Sequence, residues 1–131
     1  KEKEYMWGTK QEPLGKPMAN IWHGRFPREN TKDDGYYHTA PVGKFPVNGY
    51  GIHDMAGNVW EWCSDWFNPV YYKSSPGADP KGPEKGTKKV SRGGGWYYFA
   101  AGCRAASRYQ RDPGRKRNTE GFRVVCTITG K

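Results

Sequence analysis

Three tryptophans, Trp60, Trp62 and Trp66, lie within seven residues, and Glu61 sits between the first two. A carboxylate between two large apolar rings is costly to bury unless a positive partner neutralises it. A bound cation would do that, and so would an arginine from elsewhere in the chain. The plainer alternative is a strand in which Glu61 faces water. Asp54 and the carbonyls around Gly57 and Asn58 add oxygen donors close by in sequence. Hard cations such as Ca²⁺ take ligands of this kind.

A second group follows the triplet Gly93-Gly94-Gly95. It comprises Trp96, Tyr97, Tyr98 and Phe99, then the series Arg104, Arg108, Arg111, Arg115, Arg117 and Arg123. Glycine runs permit positive φ and close backbone approach, as at the rim of a site. Rings beside guanidinium groups suit an anionic or polar ligand, or a partner surface. Single-stranded nucleic acid would also stack on such rings, but only charge supports that reading. The structural alternative is an aromatic core wall, with arginines paired to Asp112 and Glu120. The cysteines, Cys63, Cys103 and Cys126, are odd in number and contain no C-x-x-C. With His23, His38 and His53 they make no zinc spacing. One disulfide with a free thiol, or three free thiols, both fit.

The elements that must position these groups are short. Val59 to Cys63 reads as a strand. Val90 to Trp96 reads as another, broken by the glycine triplet. Cys103 to Tyr109 is a third candidate. Phe122 to Ile128 alternates, with Phe122, Val124, Cys126 and Ile128 on one face. Residues 67–89 read as a long loop, and Asn48-Gly49 as a turn. Asn20 to Phe26 is an apolar island. No stretch has convincing helical periodicity, and no internal repeat is visible.

Composition bounds the fold. The 131 residues make at most one domain. Only sixteen are Leu, Ile, Val or Phe, below the proportion usual for folded chains. Aromatic residues, at 15%, compensate, since each ring buries about 150–250 Å². The 18 glycines and 10 prolines imply tight turns. A core this thin leans on bound metal or on a partner chain. The net charge of +9 reads mainly as a solvated surface. No apolar run is long enough to cross a membrane.

The order of the pieces resembles the C-terminal half of the formylglycine-generating enzyme, or sulfatase-modifying factor, family. The matching pieces include Trp7-Gly8, Ala19 to Trp22, Thr39 to Val42, Phe45-Pro46, Asn48 to Gly51, Gly57 to Trp62, Ser64 to Trp66, Arg92 to Gly94, Arg104 to Ala106 with Arg108, and Gly121 to Arg123. Each alone is weak, but together they span about residues 5–125. The resemblance implies an irregular α+β fold, related to the C-type lectin fold, as one domain over 1–131. The family's N-terminal half has no counterpart here. The chain is therefore expected to pair with that half or with a second chain.

The resemblance also implies two Ca²⁺ sites. One would use the side chains of Asn20 and Asp34 and the carbonyls of Ile21 and Tyr36. The other would use Asp54 and Glu61 with the carbonyls of Gly57 and Val59. The family's enzymes oxidise a substrate cysteine to formylglycine, using Cu(I) held by two cysteines five residues apart. Thiolate pairs suit soft Cu(I). Here Tyr98 takes the first position. Cys103 takes the second only when counted without a gap, and the downstream motifs require a register about three residues shorter. No two-thiolate copper site is expected in either register.

Three functions follow as expectations. The first is a divergent, Ca²⁺-stabilised module without formylglycine-generating activity. It would bind a peptide, a protein or a small molecule in a cleft of Trp60, Trp96, Tyr97, Tyr98, Phe99 and Arg108, with Tyr109 and Arg111 as further contacts. The second is a retroelement-diversified binding protein, whose variable pattern resembles the run from Arg92 to Arg123. The third is the C-terminal part of a formylglycine-generating or related oxidase.

Overall fold

A computed structural model describes residues 3–126. Four short strands form one mixed sheet in the order β3-β2-β1-β4. They are β1 (Trp60–Trp66), β2 (Lys89–Arg92), β3 (Tyr109–Arg111) and β4 (Glu120–Gly121). β1 and β2 pair antiparallel, with Glu61 opposite Arg92 and Trp62 opposite Ser91, and the register slips before Trp66 meets Lys89. β3 continues antiparallel on β2. β4 lies parallel to β1, with Trp60 opposite Glu120. Helix among the described residues is limited to single 3-10 turns at Pro13–Gly15, Tyr71–Lys73 and Ala100–Cys103. The irregular α+β architecture expected from the sequence is thus present. No helix among the described residues is long and apolar enough to cross a membrane.

The core is built from rings and small residues. Tyr5, Ala19, Ile21, Ala56, Ala100 and Cys103 form one buried cluster, against which Met6 and Trp7 pack. Trp60, at the start of β1, is 2% exposed. With few aliphatic side chains available, buried amides stitch the loops together. Asn58 Oδ1 accepts from the Ala40 N–H at 3.0 Å and from Asn20 Nδ2 at 3.3 Å, while Asn58 Nδ2 donates to the Ala40 carbonyl at 3.2 Å. The Asn58 N–H donates to the Asn20 carbonyl, and the Trp96 N–H to the Asn58 carbonyl, both at 2.8 Å. Asn58 holds φ +62°, a conformation that asparagine tolerates better than most side chains. Gly57 beside it, at φ +78°, has no room for a side chain. A Cβ there would lie 2.6 Å from the Asn20 carbonyl oxygen.

Two expected strands do not form as read. Cys103 to Tyr109 instead begins as the end of a 3-10 turn and becomes extended only at Tyr109. The reason is close packing: a Cβ on Gly102 would sit 2.7 Å from Tyr98 Cδ1 and 3.1 Å from Trp60 Cζ2. The chain therefore curls under the rings rather than running past them. After β4, residues 122–126 form no strand, and Phe122, Val124 and Val125 are all exposed. Among the described residues of this stretch, Arg123 is anchored, on Glu61. Thr127 and Ile128 lie outside the described residues.

Candidate functional site

Trp60 is the floor of a cleft of about 190 Å³, lined also by Phe26, Tyr97, Tyr98, Tyr109, Arg111, Arg117 and Thr119. Tyr98 meets Trp60 edge-on at 5.3 Å, and Tyr109 lies 5.4 Å away on another side. Phe26 closes on Tyr97 at 5.2 Å. The Arg111 guanidinium sits 4.1 Å from the Tyr109 ring centre and 5.6 Å from that of Trp60, distances suited to cation–π attraction. Its Nε lies 2.5 Å from Glu120 Oε1, on a carboxylate whose side chain is 2% exposed. Neither atom has a hydrogen-bond partner of good geometry, so the contact is chiefly coulombic. Burial raises the Tyr98 hydroxyl above the usual tyrosine range, and the Tyr109 hydroxyl beside it adds to the shift.

A neighbouring recess of about 310 Å³ is lined by Trp96, Tyr97, Arg117, Asn118 and Thr119. Of the sequence candidates, Trp60, Tyr97, Tyr98, Tyr109 and Arg111 thus share one cleft, and Trp96 lines the recess beside it. Phe99 stacks on Tyr98 at 4.7 Å, half exposed and outside the lining. Arg108 lies elsewhere. Its guanidinium sits 4.5 Å from the Tyr72 ring centre and 5.1 Å from that of Phe67, and Nη2 donates to the Asn68 carbonyl. There it fastens the loop after β1. Phe26, Arg117 and Thr119 were not among the sequence candidates for the cleft. Phe26 was visible only as the end of an apolar island, and Arg117 only as one of an arginine series. Of the acids considered as arginine partners, Glu120 pairs with Arg111, whereas Asp112 pairs with Lys88 at 3.1 Å.

The oxygen-rich loops join Asn58 through Asn20. The Asp34 side chain is fully buried. Its Oδ2 accepts from the Ile21 N–H at 3.0 Å and its Oδ1 from the Tyr36 N–H at 2.9 Å. Burial raises its pKa above the ordinary carboxylate value, against the pull of those two bonds and of His23. Asn20 Oδ1 is buried and has no partner. Among the described residues no hydrogen bond ends on the carbonyls of Ile21, Tyr36 or Gly57. An orphaned amide oxygen, a buried carboxylate and spare carbonyls are donors of the type Ca²⁺ takes.

Around Glu61 the arrangement differs. Arg123 Nη2 meets Glu61 Oε1 at 2.6 Å, Arg123 Nε meets Oε2 at 3.1 Å, and Nη2 also reaches the Asp54 carbonyl. Asp54 Oδ2 accepts from the Gly43 N–H at 2.7 Å. These groups border a cavity of about 440 Å³ that also includes Val59. Of the partners considered for Glu61, an arginine therefore fills the role in this structure. No three His, Cys, Asp or Glu side chains converge as a metal cage among the described residues.

All three cysteines are free. Cys103 lies in the core cluster, 3% exposed. Burial pushes its thiol up to about 12, so it is a small core residue rather than a thiolate. Cys63 is half-buried and Cys126 exposed. With Tyr98 in the cleft and Cys103 in the core, the residues present do not make a thiolate pair for Cu(I).

A loop-rich domain with few helices and short strands in one mixed sheet is of the formylglycine-generating-enzyme type. The chain belongs to the sulfatase-modifying factor enzyme 1-like domain family, which matches residues 1–128. It is 46% identical over 126 residues to a formylglycine-generating enzyme of Streptomyces coelicolor, covering 94% of this chain and 40% of that protein. The solved structure of PvdO from Pseudomonas aeruginosa superposes with a TM-score of 0.65 and 31% identity, over 79% of this chain and 37% of that one. Treponema denticola variable protein 1 superposes equally well, at 0.65 and 32%, over 80% of this chain and 34% of that one. The chain thus spans well under half the length of these relatives.

Proposed function

We infer that this chain is a divergent ligand-binding module of the family, without formylglycine-generating activity. The observation that carries the reading is the cleft over Trp60. Tyr98 stands in it where the resemblance puts the first copper-binding cysteine, while Cys103 is buried in the core. A phenol cannot replace a soft sulfur ligand for Cu(I). What the cleft does offer is ring surface with guanidinium groups, the chemistry of recognition.

In this reading Ca²⁺ stabilises the loops. Asn20 and Asp34, with the carbonyls of Ile21 and Tyr36, would hold one ion. The orphaned Asn20 oxygen supports that assignment. A second ion at Asp54 and Glu61, with the carbonyls of Gly57 and Val59, would have to displace the Arg123 guanidinium. An N-terminal half, on the same or another chain, would complete the domain.

The test is turnover. The intact protein, supplied with copper and oxygen, is incubated with a Cys-x-Pro-x-Arg peptide, and the product is weighed by mass spectrometry. No formylglycine is expected. Copper-dependent conversion would overturn the reading and revive the oxidase alternative, which the 46% identity favours. Diversified binding is a second reading, favoured by the likeness to the Treponema variable protein. A near-copy of the coding segment for Arg92 to Arg123 elsewhere in the genome would establish it.

A further inference from the structure

We propose that the cleft selects small aromatic monoanions: a planar ring carrying a single oxyanion, such as an aryl carboxylate. The proposal rests on the ligand-binding reading above and adds the chemistry of the ligand.

Charge comes first. The side chains lining the cleft include two cations, Arg111 and Arg117, and no acid. Behind the lining, Glu120 meets Arg111 through Nε. One carboxylate against two guanidinium groups leaves one positive charge to be matched. A monoanion matches it, whereas a dianion would set excess negative charge close to buried Glu120. A neutral ligand would forgo a charge-assisted contact with the unmatched guanidinium.

Geometry comes next. Arg111 is held by Glu120 and by the faces of Tyr109 and Trp60. No hydrogen bond among the described residues uses its two Nη atoms, so their N–H groups remain for a planar oxyanion, which guanidinium groups recognise bidentately. Glu120 acts here as a positioning residue. The volume of about 190 Å³ is below the usual range for drug-sized ligands, roughly 300–1,000 Å³. It suits one ring rather than an extended chain. The neighbouring recess, which shares Tyr97, Arg117 and Thr119, gives room for a substituent. Trp60, Tyr98 and Tyr109 supply the ring faces and edges on which an aromatic group packs.

The experiment is isothermal titration of the intact protein with four probes of matched size: benzoate, phenyl phosphate, benzyl alcohol and benzylamine. Benzoate is expected to bind about tenfold more tightly than benzyl alcohol, the worth of one charge-assisted contact. Phenyl phosphate, largely a dianion at neutral pH, should be weaker than benzoate, and benzylamine should not bind. Arg117→Ala alters an exposed residue and should leave folding intact while costing benzoate about tenfold. Arg117→Lys should recover part of that loss. If benzyl alcohol binds as well as benzoate, or Arg117→Ala leaves benzoate unchanged, the anion selectivity is wrong and the ligand-binding cleft stands. If none of the four probes binds, both readings fall.

Discussion

The buried Arg111–Glu120 pair can be tested by removing each partner and then both. The Glu120 side chain is 2% exposed and that of Arg111 14%, so water screens the pair little. Arg111→Met leaves the Glu120 carboxylate without its only cation among the described residues. Stranding a buried charge in this way costs about 3–5 kcal/mol, and the small exposure of Arg111 points to the lower end. Glu120→Gln should cost less, about 2 kcal/mol, because the guanidinium keeps its contacts with Tyr109 and Trp60. The double variant Arg111→Met, Glu120→Met removes both charges together and should lie within about 1–2 kcal/mol of the parent, on either side. The singles would then sum to a much larger loss than the double shows, a coupling of about 3 kcal/mol or more. The assay is urea unfolding of the intact protein followed by tryptophan fluorescence, to which Trp60 beneath the pair contributes. If the double variant loses the sum of the singles, or if Arg111→Met costs under about 1 kcal/mol, the pair behaves as a surface contact and the reasoning fails.

Gly57→Ala should destabilise by about 2–5 kcal/mol, from left-handed backbone strain plus overpacking. The added Cβ would meet the backbone oxygen and nitrogen of Asn20 at 2.6 and 2.9 Å; a variant that unfolds at the parent's urea midpoint would contradict this. Treating the isolated protein with a chelator should lower its melting temperature, and readdition of Ca²⁺ should restore it. An unchanged melting curve counts against the Asn20–Asp34 site. Alkylation by iodoacetamide should follow exposure, with Cys126 reacting first, Cys63 more slowly and Cys103 only on unfolding. Peptide mapping reads that order, and early labelling of Cys103 would place its thiol outside the core. Burial also holds the Cys103 pKa above its unfolded value, up to about 12. For such a group the folded state keeps its proton longer than the unfolded state. Its contribution to stability is therefore full below the unfolded thiol pKa and is lost as pH rises toward 12. Cys103→Ser should remove that alkaline component from a pH–stability curve, and an unaltered alkaline limb would contradict the assignment.

Much of this arrangement was legible in the residues themselves. The Trp60-Glu61-Trp62 run announced a strand with two rings on one face and, on the other, a carboxylate that needs a partner unless it faces water, because side chains alternate across a strand. The poverty of aliphatic residues required a core of rings, tight turns and irregular loops. The order of short motifs from Trp7 to Arg123 pointed to the family. Tyr98 at the expected thiolate position was equally plain.

What the tertiary structure decided was which distant residues meet. Glu61 could have taken a metal, an arginine or water; the chain path after β4 brings Arg123, 62 positions away, onto both its oxygens. Arg108 and Arg111 are the same residue type three positions apart. One turns to the Phe67–Tyr72 loop and the other enters the cleft, since strand β3 begins between them. Phe122, Val124 and Cys126 alternate as one face of a strand and are nonetheless exposed, since alternation carries no information about whether a neighbouring strand is there to pair with it. Local pattern sets what each residue requires. Only the packed loops, held by Asn20 and Asn58, determine which partner meets that requirement.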